Sequence, residues 1–268
     1  RREVIKPFLD AQLKDGAPPA NLAPVTSYAT GGGGWRRSET LPSATRPLYL
    51  RAGGRLAFTP PEAGEAGQDS YVSDPAKPVA VVARPFYFGS RTDAWKTSLI
   101  ADQRVAGQRP DVLTFVTEPL EAPVHVFGRP EVELFAATTG SDSDFVVKLI
   151  DVHPDEMTDL NVAGYQMPVA MDIFRGRYLK GFDRPSPLTP GKAEAYRFPL
   201  PVADHVFAKG HRIMIQVQST WFPVYDRNPQ TYVPNLFDAK PGDYRKATQS
   251  VFHSPARPSA VRLPIVRD

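Results

Sequence analysis

The chain has 268 residues, 41% apolar and 23% charged, with 32 basic and 29 acidic side chains and no cysteine. That composition suits one large globular β domain or two small ones, and it excludes disulfides, thiolate metal sites and a cysteine nucleophile. No lysine or arginine block is longer than two residues, so no nucleic-acid surface is expected, and no apolar run approaches the roughly 20 residues of a membrane-spanning helix.

With 29 prolines and 19 glycines, short strands and stiffened loops are expected rather than a helical bundle. Residues 1–14 are the exception. Val4, Ile5, Phe8, Leu9 and Leu13 recur at helical spacing, Pro7 marks a kink or the true start, and Gly16 suits the left-handed position after the end. Such an apolar stripe needs a surface, either this chain's β core or a preceding domain. No signal-peptide pattern is present.

A strand is expected over 25–29. The glycine run Gly31–Gly34 precedes Trp35, Arg36 and Arg37, but no lysine–serine or lysine–threonine pair follows and the dinucleotide-binding spacing is absent. A flexible loop is therefore expected, not a phosphate cradle. Residues 47–51 and 55–58 flank Ala52-Gly53-Gly54 as a hairpin, and 60–69 reads as a loop. A turn is expected at Asp74-Pro75 and a short edge strand over 79–83. Residues 84–104 form a long irregular stretch carrying Phe86, Tyr87, Phe88 and Trp95; long loops of this kind are disproportionately functional.

From there strands come at regular intervals: 112–117, 124–127, 132–137, 145–152, 167–174, 195–200, 211–219, 249–253 and 259–266. Turns at Glu118-Pro119, Gly128-Arg129-Pro130, Thr189-Pro190-Gly191 and Lys209-Gly210 separate them, and no helical spacing lies between. The fold class predicted is all-β, a jelly-roll β-sandwich. Residues 204–230 show the logic in miniature. After a turn over 207–210, Ile213, Ile215 and Val217 share one face of a strand, while Arg212, Met214, Gln216 and Gln218 share the other. The run Trp221-Phe222-Pro223-Val224-Tyr225 then leaves the ladder, because its prolines cannot donate to it, and its aromatics are expected to plug one end of the sandwich.

Candidate chemistry is sparse. No Gly-x-Ser-x-Gly elbow occurs, nor the strand–helix alternation that would carry one. His125, His153, His205, His211 and His253 lie in no motif that marks a general base and read as structural. Asp142, Asp144, Asp151, Asp155 and Glu156, with Asn161, form the densest acidic group. Hard oxygen ligands suit calcium, but the spacing is not that of an EF-hand loop, so no metal is predicted. Asp102 with Arg104, and Asp226 with Arg227, read as loop-fixing ion pairs.

Several segments together resemble the α-amino-acid ester hydrolases, relatives of cocaine esterase and the bacterial X-Pro dipeptidyl-peptidases. They are Phe8-Leu9-Asp10 with Leu13-Lys14-Asp15-Gly16-Ala17-Pro18; Trp35-Arg36; Leu48-Tyr49-Leu50 with Ala52-Gly53-Gly54; and Tyr71-Val72-Ser73-Asp74-Pro75-Ala76-Lys77-Pro78. Asp102-Gln103-Arg104, Arg109-Pro110-Asp111-Val112 and the stretch from Ser141 to Val152 follow. Asp172-Ile173-Phe174-Arg175-Gly176-Arg177-Tyr178, Gly210-His211-Arg212-Ile213 and Tyr225-Asp226-Arg227-Asn228-Pro229-Gln230-Thr231 complete the set. The glycine run departs from the family, whose loop there usually carries polar residues before the tryptophan.

The resemblance implies a C-terminal portion only. Residues 1–20 would be the terminal helix of a preceding α/β-hydrolase domain and 21–268 the jelly roll. The family's serine, acid and histidine lie in the catalytic domain, so no catalytic residue and no cofactor is assigned here. The complete enzyme would form acyl-enzymes from α-amino-acid esters and from β-lactam amides bearing such acyl groups. Its partners would be the catalytic domain, a small acyl ester substrate and further copies of itself, without nucleic acid or membrane, in a periplasmic or secreted location. Phe86, Tyr87, Phe88 and Trp95 are the candidates for a wall of the substrate entrance. The alternative is an independent carbohydrate-binding module in which Trp221, Phe222 and Tyr225 stack on a sugar.

Overall fold

Strand β14 (Ala247–Ser254) alternates buried and half-buried residues along its whole length, as a strand with one face in a core must. Strand β9 (Asp144–Val152) is buried at nearly every position, so both of its faces are covered. The contrast places β9 at the centre and β14 on an outer wall. A computed structural model describes residues 2–81 and 98–266.

In chain order the strands are β1 (Val25–Ala29), β2 (Gly34–Ser38), β3 (Arg46–Arg51), β4 (Arg55–Ala57), β5 (Gln68–Ser73), β6 (Leu113–Val116), β7 (Val124–Gly128) and β8 (Glu131–Thr138). After β9 come β10 (Gln166–Arg175), β11 (Glu194–Pro199), β12 (Ala203–Phe207), β13 (Arg212–Gln218), β14, β15 (Arg257–Pro258) and β16 (Ala260–Leu263). One wall runs β10–β9–β13–β6. Through β4 and β3 the ladder continues into the other, β16–β8–β14, with β11 on β8 and β5 on β14. Residues far apart along that ladder meet across the middle. Phe145 of β9 and Tyr196 of β11 have ring centroids 4.7 Å apart, and Phe115 of β6 lies edge-on to His253 of β14. The chain is thus an all-β jelly-roll sandwich. Leu48, Leu134, Phe145, Leu149, Ile213, Ile215 and Val261 are among its fully buried core residues, each contributing about 1.5–3 kcal/mol through burial.

Helix α1 spans Ile5–Leu13, with Pro7 in its first turn, where a missing N–H costs nothing. Its apolar stripe is not docked on the β core: Ile5, Phe8, Leu9 and Leu13 are all exposed. The glycine run is an ordered tight turn of the β1–β2 hairpin rather than a flexible loop. A Cβ on Gly31, at φ 75°, would lie 2.1 Å from the Val206 carbonyl oxygen of β12, so only glycine lets the hairpin approach that strand. The edge strand expected over 79–83 shrinks to a single bridge, Ala80 to Phe222, with residues 82 and 83 outside the described part. Directly after the stretch expected to be irregular, helix α2 forms a single turn over Arg104–Gly107.

Candidate functional site

The outward face of the β10–β9–β13–β6 wall carries a polar row. Thr114 of β6 pairs with Gln216 of β13, Gln216 with Lys148 of β9, and Lys148 with Met171 of β10. Directly paired antiparallel residues share a face, so a lysine and a glutamine stand side by side, with Val146 and Ile150 flanking the lysine along β9. Both are buried, Lys148 at 1% exposure. What covers them is the segment that includes α2. Gln103 accepts a hydrogen bond from Lys148 Nζ at 2.8 Å through its side-chain oxygen, and its backbone carbonyl accepts one from Gln216. Its own amide N–H donates to the Gln166 carbonyl at the start of β10. Burial, with no opposing charge on it among the described residues, pushes the Lys148 amine down to about 7. An amine so poised can in principle act as a nucleophile or base, but this one is buried with its Nζ bonded to Gln103. It is a clamp.

Separate hydrogen bonds fix the described residues on either side of 82–97. On one side Val79 N–H donates to Thr220 Oγ1 at 2.7 Å and Val81 N–H to the Phe222 carbonyl. On the other, Asp102 takes the backbone N–H of Arg104 and the Arg104 guanidinium at 2.7 Å, which makes it the expected loop-fixing pair. Burial works to raise the Asp102 carboxyl, yet the Arg104 side chain and the Arg104 and Gln166 amides hold it below its ordinary value. Beside the first anchor Trp221 and Tyr225 stack with centroids 5.8 Å apart, each turning one ring face to the other. Arg227 donates to the Pro75 carbonyl and lies over Phe222 and Tyr244, rather than pairing with Asp226.

A second polar group closes one end of the core, on the inward face of β9. Asp151 is 1% exposed and receives His205 Nε2 at 3.1 Å and His211 Nδ1 at 2.9 Å. His153 Nε2 stands 3.8 Å away. His205 reaches Thr30 Oγ1 through its other nitrogen at 2.7 Å. Burial holds the His153 imidazole below its ordinary value. Next to this group, Asp204 bonds His125 at 2.6 Å and Ser27. Asp151, His153 and His211 each offer a ligand atom, all within 4.8 Å of one another.

The relatives resolve what this architecture belongs to. Residues 17–262 match the X-Pro dipeptidyl-peptidase C-terminal non-catalytic domain. The chain belongs to that family. It is similar to a solved α-amino acid ester hydrolase, at 54% identity and a TM-score of 0.92 over 98% of this chain and 44% of that one. An aminopeptidase structure from a marine sediment Thaumarchaeota archaeon matches at 48% identity and a TM-score of 0.93, over 100% of this chain and 44% of the other. Cocaine esterase from Rhodococcus sp. (strain MB1 Bresler) is 30% identical over 98% of this chain and 45% of its own length. The chain spans less than half the length of each.

In this X-Pro dipeptidyl-peptidase C-terminal domain the expected wall residues Phe86, Tyr87, Phe88 and Trp95 lie outside the described residues. The acidic group is not gathered into one place. Asp142 pairs with Arg177, Asp144 with Asn228 and Arg175, and Asp151 with the histidines. Taken singly, the histidines read as structural; what that reading missed is their convergence. Strand parity carried part of the signal, since Asp151 and His153 are two residues apart and so are His205 and Phe207. It could not show that β12, where no strand is expected and only Phe207 falls in the expected turn, brings His205 to β9.

Proposed function

We propose that this non-catalytic domain serves a serine hydrolase acting on α-amino-acid esters, and on β-lactam amides with such acyl groups. A catalytic α/β-hydrolase domain in the same polypeptide supplies the nucleophile, and residues 1–20 belong structurally to it. The observation that carries the reading is the 54% identity to an α-amino acid ester hydrolase over almost the whole chain. The bare apolar stripe of α1 supports it, because Ile5, Phe8, Leu9 and Leu13 have no β core to cover them. Residues 84–104 wall one side of the substrate entrance, with the Gln103–Lys148 clamp at the C-terminal end of that stretch, and the domain adds contacts between subunits. The complete enzyme works in the periplasm or outside the cell.

The test uses the complete enzyme. Replacing Phe86, Tyr87 and Phe88 together by alanine is expected to change the kcat/KM ratio between a bulky and a small acyl ester about tenfold, which corresponds to roughly 1.4 kcal/mol. Gln103→Leu, which breaks the clamp at a distance, should move the ratio in the same direction. Equal ratios in parent and variants end the entrance-wall reading. Ester turnover by the isolated domain, lost on changing one of its own side chains, would end the non-catalytic one.

A further inference from the structure

We infer that Asp151, His153 and His211 form a binding site for one divalent transition metal of the zinc class. The donors are one carboxylate and two imidazoles, a set that suits zinc, cobalt or nickel rather than calcium or magnesium, which take oxygen-rich shells. A tetrahedral ion with bonds of about 2.0–2.1 Å holds its ligand atoms roughly 3.3 Å apart. The observed separations bracket that value: 2.9 and 3.1 Å from His211 Nδ1 to the two carboxylate oxygens, and 3.8 Å from His153 Nε2 to Oδ2.

The position of His153 is the decisive feature. Its Nε2 is too far from Asp151 for a hydrogen bond, and its buried Nδ1 has no partner among the described residues. The ring nevertheless points at the carboxylate, with Tyr165 edge-on to it. A hydrogen-bonded cluster leaves this ring unexplained, whereas a shared ion gives its Nε2 a partner. Outer support for the carboxylate is in place, since His205 bonds Asp151 and is itself held by Thr30; such contacts orient ligands and tune affinity. His153 and His211 side chains keep 16% and 13% of their surface, against 1% for Asp151. The ion would therefore be reached from solvent and keep a fourth position for water. On binding, His211 takes the tautomer with its proton on Nε2, which frees the Nδ1 lone pair for the ion in place of the hydrogen bond to Asp151.

The experiment is a chelator-competition titration of the chain with zinc, followed by cobalt substitution and thermal melting with and without zinc. One zinc per chain is expected, with the visible bands of tetrahedral cobalt and a rise in Tm of about 5 °C at hundredfold excess over Kd. His153→Ala should weaken zinc by roughly a hundredfold and remove the Tm rise, while His205→Gln should weaken it about tenfold. Because the His153 ring makes no hydrogen bond among the described residues, the melt of His153→Ala without metal reports only the packing lost against Tyr165 and His211, and its difference from the zinc-loaded melt separates lost binding from lost folding. No stoichiometric zinc, or zinc whose affinity is the same in His153→Ala and Asp151→Asn as in the parent, overturns the site.

Discussion

Two buried ionisable groups, one just before β9 and one within it, are settled in opposite ways. Just before β9, Asp142 is wholly buried and meets the equally buried Arg177 through two hydrogen bonds of 2.7 and 2.9 Å. Arg177 also donates to the Val233 carbonyl and lies over Tyr232. Lys148, well inside β9, is as deeply buried and among the described residues bonds only the neutral Gln103 side chain. A buried charge persists by pairing or disappears by losing its proton. The first solution is fragile to loss of a partner, and the second to pH.

The largest effect should come from breaking the pair. Arg177→Met strands the Asp142 carboxylate and should cost about 3–5 kcal/mol in urea unfolding. Replacing both, Arg177→Met with Asp142→Leu, should recover much of that loss. A double variant no more stable than the single one would mean that the arginine matters through its contacts to Val233 and Tyr232 instead.

Lys148→Met tests the other solution. The Lys148 amine sits at about 7 against an ordinary 10.5. Between those values the unfolded chain binds more protons than the folded one, so stability rises with pH across that window. The lysine's penalty is greatest below pH 7, where it is on the order of 3–5 kcal/mol, and it fades toward pH 10.5. Methionine removes it but leaves the Gln103 oxygen without a donor, at a cost of about 1–2 kcal/mol. Lys148→Met should therefore be more stable than the parent at pH 6.5 by roughly 2 kcal/mol, and no more stable at pH 10. A difference independent of pH would show that the lysine keeps its charge when buried.

Asp144 sharpens the contrast with the opposite sign. Burial pushes its carboxyl up to about 7, although Arg175 stands 3.8 Å away and Asn228 donates to it at 2.8 Å. Its folded value is raised, so stability is lost as pH climbs from about 4 to 7. Asp144→Asn should add about 1–2 kcal/mol at pH 8 and nothing near pH 4, read from urea melts at the two values. A gain that persists at pH 4 would assign the effect to packing.

Much of this arrangement could be read in the residues. The alternation of Ile213, Ile215 and Val217 placed β13's inner face, and Gly53-Gly54 placed the hairpin between β3 and β4. Strands β2, β5 and β12 escaped notice because their partners, not their own composition, make them strands; β2 begins on a glycine and β12 carries Asp204 and His205. Lys148 sits in an apolar run and is visible as an anomaly, but nothing local says that Gln103, 45 residues earlier, will cap it. The His–Asp cluster was illegible for the same reason. It is assembled from β9, β12 and the turn before β13, and long-range register decides whether those meet.

The smallest effect belongs to the surface, where charges are paired in water. Glu133 on β8 accepts Arg197 from β11 at 2.6 Å and Arg262 from β16 at 3.1 Å, joining three adjacent strands. Burial tends to raise the Glu133 carboxyl, but the two guanidinium groups hold it below the ordinary range. Both arginines are more than two-fifths exposed, so solvent screens much of that attraction. Glu133→Gln should cost only about 0.5–1 kcal/mol in dilute buffer and less at about 1 M salt, where the screening length falls to roughly 3 Å. A loss as large as that of Arg177→Met, or one indifferent to salt, would erase the distinction between buried and exposed pairing. The network would then be holding strand register rather than merely decorating it.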